Sequence, residues 1–382
     1  MPRVLVSFPH ALGAPGIGAT AWHQVVGARD AGVDVVAYAA SVHTPVTIGP
    51  APMTTLTVAG RRVPHRALGV ARAYRLHDRL VARALRRQSA GVDLVHVWPA
   101  ACMETLRAAR DLGIPSLREA PSAHTAEVFD QAAAESRVTG VELPPGHPLR
   151  FDSARLRLEE QEFEAAGGLL VPSQPAADTF LTRGFGAERV VRHRYGYDPD
   201  RFRPMQRPDG PFTAVFVGRC EPPKGLHYAL DAWFASGAAE RGRFVVVGAM
   251  QPDYERFLGA RLTHRSLEVR PFDPDVAELL GVADALVLPT VTEGSALVTY
   301  EATGSGCVPV VSDAAGAYCT DGLDGLVHRA RDVGALTEHL RILSTDAVRL
   351  EELRQGVLAH RPELTWQRAG EVLAAAYADR LS

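Results

Sequence analysis

Short apolar runs alternate along the chain with longer segments in which apolar residues recur at helical spacing. This alternation is typical of parallel β-sheets that are covered by helices on both faces. The first series of predicted strands comprises residues 4–8, 33–39, 93–97, 115–119 and 168–171. The second series comprises residues 212–217, 244–248, 267–270, 285–288 and 308–311. The pattern therefore predicts an α/β fold with two doubly wound sheets.

Residues 195–208 separate the two series and contain three prolines and a glycine. These residue types interrupt regular structure, so we place the hinge between two domains in this segment. The prediction assigns residues 1–200 to the first domain and residues 210–364 to the second. Because ligands of doubly wound sheets bind beyond the carboxyl ends of the strands, two facing domains predict a site in the cleft between them.

Composition narrows the class of protein. The 382 residues carry 41 basic and 44 acidic side chains, and this balance disfavours a general nucleic-acid binder. The four cysteines show no C-x-x-C pairing, and no apolar run approaches the roughly 20 residues of a membrane span. The chain also begins with a predicted strand rather than a secretory signal. We therefore expect a cytoplasmic protein.

The turn after the predicted strand 212–217 combines glycines with two cations. Gly218 and Arg219 open this turn, and Lys224 and Gly225 close it just before a predicted helix. A helix start presents free N–H groups and the positive end of the helix dipole, so the turn suits a diphosphate. An exposed turn with two solvated cations is the alternative. Lys224 favours binding, because every other basic side chain outside the histidines is arginine.

A second candidate segment follows the predicted strand 285–288. Ser295 is predicted to cap a helix, which leaves the first N–H groups of that helix free for phosphate or sugar oxygens. These N–H groups belong to Ala296, Leu297 and Val298. Glu293 precedes the helix, and Glu301 lies about two turns along it. Taken alone, the two glutamates also fit an acid that complements the helix dipole and an ordinary surface acid.

Together the two segments resemble the retaining GT-B glycosyltransferases of the E-x7-E type, which are also described as glycosyltransferase family 4-like. The similarity extends to the glycine-cysteine-valine-proline run at residues 306–311, to residues 166–173 and to the segment that begins at Gly196. The resemblance implies that Arg219 and Lys224 hold the donor diphosphate beside Gly218. It also implies that Glu301 holds the nucleotide ribose and that Glu293 lies against the transferred sugar.

The chain departs from the family pattern at two places. Ala296 occupies a position that is usually glycine, and residues 315–322, whose acid is Asp321, lack the particular acidic residue that the family often has there. These departures leave the identity of the sugar open.

The resemblance also assigns features of the first domain. Gly16 and Gly18 become part of a flexible loop that approaches the donor phosphates, since their spacing differs from that of an NAD fingerprint. His124 matches the family histidine that faces the sugar, although a histidine in a loop is more often an ordinary hydrogen-bonding residue. The last helix, in residues 365–382, crosses back onto the first domain in similar proteins.

The implied fold is therefore GT-B, with two Rossmann-like domains facing across a cleft. The implied reaction transfers a hexose-type sugar from a nucleoside-diphosphate sugar, with retention of configuration. A UDP-sugar is the favoured donor. The family's base contacts near Pro271 and Phe272 are largely made by backbone, so the base stays open. We expect neither a metal nor a cofactor, because Arg219, Lys224 and helix N–H groups can meet the charge of the leaving diphosphate.

The acceptor stays open among small molecules, glycans and lipid-linked compounds. Three alternatives also stay open. The first is a nucleotide-sugar epimerase, and the second is a phosphorylase with pyridoxal phosphate on Lys224. The third is an inactive partner protein that only binds sugar nucleotides.

Residues 61–87 form a strongly basic segment with nine arginines and one acid, Asp78. Such a face fits an anionic membrane or a phosphorylated acceptor. A solvated helix face is the alternative, because the segment lacks the large aromatic anchors of an interfacial helix. The prediction is thus a cytoplasmic protein with weak contact to the inner face of the membrane through this segment.

Overall fold

The computed structural model describes residues 1–58, 61–62, 69–273 and 275–382. The strands of the first domain are β1 (Arg3–Leu12), β2 (Asp34–Val42), β3 (Met53–Thr54), β4 (Thr57–Val58), β5 (Arg61–Arg62), β6 (Leu94–Val97), β7 (Ser116–Glu119), β8 (Gly168–Val171) and β9 (Val190–Arg192). Seven of them form a parallel sheet in the order β3-β2-β1-β6-β7-β8-β9. The other two, β4 and β5, form a small antiparallel hairpin.

Helices cover both faces of this sheet. They are α1 (Ile17–Asp30), α2 (Val70–Gln88), α3 (Met103–Asp111), α4 (Thr125–Thr139), α5 (Ser153–Ala165) and α6 (Gln174–Leu181). Successive side chains of β1 point to opposite faces, so Leu5 joins one apolar core while Val4 and Val6 join the other. Both cores are buried, as expected for a parallel sheet.

The second domain repeats the arrangement. Its strands are β10 (Phe212–Val217), β11 (Gly242–Val247), β12 (Leu267–Arg270), β13 (Ala285–Leu288), β14 (Val308–Ser312) and β15 (Leu326–His328), in the parallel order β12-β11-β10-β13-β14-β15. Its helices are α7 (Leu226–Ala235), α8 (Pro252–Leu258), α9 (Ala277–Val282), α10 (Leu297–Gly304), α11 (Val333–Thr345) and α12 (Ala347–His360).

The chain passes between the domains twice, and the two crossings are hydrogen-bonded to each other. In the first crossing, the N–H of Tyr197 donates to the carbonyl of Leu364 at 3.0 Å. In the second, the N–H of Trp366 donates to the carbonyl of Tyr197 at 3.1 Å. The last helix, α13 (Trp366–Leu381), then packs against α1 and adds Leu373 and Tyr377 to a core of the first domain.

The structure confirms the α/β fold with two parallel, doubly wound sheets. All ten predicted strands are present, and each end lies within four residues of the predicted one. The short strands β3, β9 and β15 and the hairpin were outside the prediction. Of the basic segment 61–87, residues 63–68 lie outside the described residues. In the described part of the chain, no helix is both long and apolar enough to cross a membrane.

Candidate active site

The predicted diphosphate turn lies at the carboxyl end of β10. After Gly218 the chain forms a single 3₁₀ turn, Pro222–Lys224, and Gly225 leads into α7. The ammonium group of Lys224 contacts the carboxylate of Glu293, and each side chain is 18% exposed. A cation and an acid separated by 69 positions in the chain therefore meet at one edge of the second sheet.

Glu293 lies in the loop between β13 and α10, directly against the first domain. At the next residue, a Cβ atom added to Gly294 would lie 2.0 Å from the carbonyl oxygen of Pro121. Only glycine permits this approach of two backbones. The hydroxyl of Ser173, also in the first domain, donates to the carbonyl of Gly294. These contacts place Glu293 in the cleft between the domains.

The structure corrects the predicted cap of α10. The helix begins at Leu297, and Ala296 is the residue that precedes it. The hydroxyl of Ser295 instead donates to the carbonyl of Gly316 at 2.7 Å and lies 2.8 Å from the hydroxyl of Tyr300. Ser295 therefore fastens two loops together and does not cap the helix.

The structure also corrects the prediction that the N–H groups of Ala296, Leu297 and Val298 are all free. The N–H of Ala296 donates to the carbonyl of Ala315 at 3.0 Å, so it is already used. Leu297 and Val298 are the first two residues of α10, where N–H groups have no acceptor within the helix. Of the three predicted donors, these two retain the geometry of an anion-binding helix start.

Glu301 is the fifth residue of α10. Burial raises the pKa of its carboxyl group to about 7, while the charge of Arg201 acts in the opposite direction. A carboxyl group with this pKa is readily switched between an acceptor and a donor of hydrogen bonds near neutral pH.

Arg219 is held by a neighbour that the sequence analysis missed. Its guanidinium lies 3.0 Å from the Oε1 atom of Glu221. The Oε2 atom of the same glutamate lies 2.9 Å from Nε2 of His147, in the first domain. The glutamate side chain is 6% exposed, whereas that of Arg219 is 49% exposed. The Nη1 atom of Arg219 also lies 3.4 Å from Nε2 of His147, so this half-exposed side chain contacts both a buried acid and a histidine of the first domain.

His124 is placed differently from the prediction that it faces the sugar. It caps α4, and its Nδ1 atom accepts a hydrogen bond from the N–H of Ala126 at 3.2 Å. The imidazole is 3% exposed, and its centroid lies 5.2 Å from those of both Phe163 and Phe180. Burial, with a smaller contribution from the charge of Arg183, lowers the pKa of His124 to about 4. The ring therefore packs inside the first domain as a neutral cap.

The predicted glycine loop after β1 is shorter than expected. Gly16 is exposed, has a φ of +80° and immediately precedes α1. Gly18 is buried in the first turn of α1, where an added Cβ would lie 2.5 Å from the carbonyl oxygen of Ala11. Gly16 thus belongs to a loop at the carboxyl edge of the sheet, and Gly18 belongs to the helix.

Three cavities with shared lining residues lie in the cleft and in the first domain. The first, about 220 Å³, is lined by Glu293 and Arg331 of the second domain and by Ala123 of the first. Ala123 also lines a cavity of about 60 Å³, which shares Arg155 and Glu159 with a third cavity. That third cavity measures about 490 Å³ and lies between α2, α3 and α5.

The large cavity is lined by charged side chains of both signs, and its acids are Asp78, Glu104, Asp152 and Glu159. Arg75 and Arg79, both exposed on α2, line it together with Arg155 of α5. Two alanines with positive φ, Ala100 and Ala101, form its floor at the carboxyl end of β6. Positive φ strains a residue other than glycine, and Glu162 holds the strained segment by accepting from the N–H groups of Ala101 and Cys102.

Within the described residues, no group of three or more histidine, cysteine, aspartate or glutamate side chains is arranged to hold a metal ion.

Two doubly wound domains with a charged cleft between them define the GT-B class of fold. The chain superimposes along 99% of its length on sucrose-phosphate synthase from Thermosynechococcus elongatus, with a TM-score of 0.68, 16% identity and 98% of that chain covered. The HepE protein of Anabaena, solved with UDP, gives the same TM-score and identity, with 99% of this chain and all of that chain covered. Both likenesses establish the fold.

Residues 211–346 match the family described as glycosyl transferases group 1. The match lies within the second domain and confirms the resemblance to glycosyltransferases that was inferred from the sequence. A D-inositol 3-phosphate glycosyltransferase of Catenulispora acidiphila is 29% identical over 266 residues, which cover 61% of this chain and 62% of that protein. The chain spans about half to three-fifths of the length of the curated relatives it matches.

Proposed function

We propose that the protein is a glycosyltransferase that moves a hexose-type sugar from a nucleoside diphosphate, with UDP as the favoured nucleotide. The contact between Lys224 and Glu293 carries this proposal, because it joins a cation suited to the leaving diphosphate with an acid suited to the sugar. Breaking the anomeric bond leaves negative charge on the diphosphate, and preorganised donors stabilise that charge in the transition state. Lys224, Arg219 and the first N–H groups of α10 are such donors.

The acceptor is proposed to enter through the first domain. The cavity of about 490 Å³ shares Arg155 and Glu159 with a small cavity, which shares Ala123 with the cavity beside Glu293. Its exposed arginines, Arg75 and Arg79, suit an acceptor that carries phosphate or carboxylate. The matched relative that acts on inositol 3-phosphate by its name is in keeping with an anionic acceptor. Contact of the arginines of α2 with an anionic membrane stays a prediction.

The test is a transfer assay with a panel of nucleotide sugars, in which Lys224→Ala is compared with the wild type. Removing one donor to a developing charge typically lowers turnover by about 10²–10³. Lys224→Arg should also lose activity, because a planar guanidinium cannot replace a compact ammonium group at this turn. Turnover of Lys224→Ala within a few-fold of the wild type at saturating donor would overturn the proposed role.

We further propose that the two cations make a divalent metal and an organic cofactor unnecessary. Activity in the same assay should survive EDTA, and loss of activity that magnesium or manganese restores would contradict this. An absorbance scan separates the proposal from a phosphorylase that carries pyridoxal phosphate. Nucleotide-sugar binding without any transfer across an acceptor panel would favour the inactive partner protein.

A further inference from the structure

The first domain contacts the second domain around the diphosphate turn through one continuous segment. We call this segment, residues 131–147, the clasp. It comprises the second half of α4 and the chain that follows this helix. Val141 of the clasp is 5% exposed and packs into the core of the second domain. The carbonyl of Glu142 accepts a hydrogen bond from Nε2 of Gln251 at 2.8 Å. The clasp therefore makes both apolar and polar contacts across the domain boundary.

The deepest anchor of the clasp is Glu135, which has no exposed surface. Its carboxylate accepts from the hydroxyl of Tyr228 at 3.0 Å and from Nε of Arg331 at 2.6 Å, and both donors belong to the second domain. Arg331 has a φ of +71°, a conformation that strains any residue other than glycine. Such strain persists only where surrounding contacts hold it, and here the arginine is held by a buried acid of the other domain.

The second polar anchor is His147, and its hydrogen bonds define its tautomer. Nδ1 accepts from the N–H of Leu149 at 3.2 Å, so in the neutral ring Nε2 carries the proton. Nε2 lies 2.9 Å from Oε2 of Glu221 and 3.4 Å from Nη1 of Arg219. The other oxygen of Glu221 lies 3.0 Å from the guanidinium of Arg219. His147, Glu221 and Arg219 therefore form a chain of contacts from the first domain to the diphosphate turn.

We propose that the clasp sets Arg219 in its diphosphate-binding orientation, with His147 as a positioning residue that contacts Arg219 both directly and through Glu221. This inference rests on the proposed function, because it gives Arg219 the role of holding a diphosphate. Separation of the domains removes His147 from Glu221 and frees this carboxylate to turn with Arg219. Donor binding and domain closure then favour each other reciprocally.

The first experiment compares His147→Ala with the wild type by calorimetry with UDP and by steady-state kinetics. A hydrogen bond to a charged group contributes about 1.5–3 kcal/mol, so UDP should bind about tenfold or more weakly. The KM for the donor should rise more than kcat falls. His147→Gln keeps an N–H donor and should recover part of the affinity. If His147→Ala binds UDP within twofold of the wild-type affinity, His147 does not position Arg219.

The matched control is His360→Ala. His360 pairs with the carboxylate of Asp324, and both residues lie in the second domain, so this change breaks a histidine–carboxylate pair without crossing the domain boundary. It should leave UDP affinity unchanged. In an Arg219→Ala background, His147→Ala should cause no further loss, because both changes remove the same interaction. An additional tenfold loss in that background would contradict action through Arg219.

Small-angle X-ray scattering without ligand tests whether the clasp holds the two domains together, independently of the proposed function. A Glu135→Gln/His147→Ala double variant should have a larger radius of gyration than the wild type, and His360→Ala should not. An unchanged radius would overturn the clasp, whatever the protein binds. Absence of UDP binding by the wild type would instead refute the proposed function, and the scattering result would still decide whether the clasp holds the domains together.

Discussion

Glu301 gives the candidate site a pH dependence that can be predicted with its sign. The folded protein holds its pKa at about 7, above the ordinary value of 4.5, chiefly because the carboxyl group is buried. Between these two values the folded chain retains a proton that the unfolded chain has released. The free energy of unfolding should therefore fall as the pH rises through this window, by up to about 3 kcal/mol, since one pKa unit corresponds to about 1.4 kcal/mol.

Thermal unfolding at about pH 5 and about pH 7.5 measures this effect. Glu301→Gln replaces the carboxyl group by a neutral one of the same shape, so it should flatten the decline seen in the wild type. Glu278→Gln, at an exposed position of α9, is the matched control and should leave the decline as it is. A wild-type melting temperature that rises across this window in proportion to Glu301 ionisation would contradict the assignment.

Residues within one short motif were predictable, and residues that act across the fold were not. Arg219, Lys224, Glu293 and Glu301 each follow a recognisable strand or helix start, so the sequence marks them as candidates and the family resemblance suggests their roles. Glu221 lies in the same motif, yet its partner His147 is 74 positions earlier, and only the folded domains bring them together.

Two local predictions failed because tertiary contacts were stronger than a local preference. Ser295 has the chemistry of a cap, but its hydroxyl is taken by the carbonyl of Gly316. His124 follows a strand at the functional edge of the sheet, yet three phenylalanine rings within 6.1 Å surround its imidazole. Neither partner can be read from the neighbouring sequence.

At the scale of elements, the crossing of α13 over α1 depends on two facing glycines. A Cβ atom added to Gly370 would lie 2.4 Å from the carbonyl carbon and oxygen of Gly27. Gly370→Val should therefore force the helices apart and lower the free energy of unfolding by about 1–3 kcal/mol. Differential scanning calorimetry measures the change.

Ala375→Val is the control for this prediction, because Ala375 is exposed on the same helix. It introduces the same β-branched side chain, whose helix cost alone is below about 1 kcal/mol. Equal losses of stability for the two variants would show that the crossing tolerates a side chain at Gly370.

The elements that were predictable are those with long apolar runs. Strands such as β10 and β13 are continuous apolar segments at the centre of the second sheet, where both faces are covered. In contrast, β9 and β15 have three residues each and lie at sheet edges. An edge strand needs fewer apolar side chains, so the sequence pattern contains little to mark it.

At the scale of the whole molecule, the proposed function assigns the two domains to opposite sides of one reaction. Lys224 and Arg219 of the second domain are proposed to hold the diphosphate, and the large cavity of the first domain is proposed to admit the acceptor toward Glu293. The carboxylate of Glu293 contacts the ammonium group of Lys224, so its charge is already balanced. This pairing suits a group that hydrogen-bonds the sugar and stabilises positive charge at the anomeric carbon better than it suits a covalent nucleophile.

We therefore expect the anomeric configuration of the donor to be retained. The acceptor would attack from the face that the diphosphate leaves, and the departing phosphate oxygen would take the acceptor proton. Glu293→Gln should then lower kcat more than it weakens UDP binding. If Glu301 holds the ribose, as the family resemblance implies, Glu301→Gln should mainly raise the KM for the donor.

Proton NMR of the first product formed reads the anomeric coupling directly, before any spontaneous change of configuration. A product with the configuration of the donor agrees with attack from the leaving-group face. An inverted coupling would require a base on the opposite face of the sugar and would overturn this mechanism. Equal effects of Glu293→Gln and Glu301→Gln on kcat and KM would instead contradict the division of roles between the two glutamates, because the two side chains would then act on the same part of the donor.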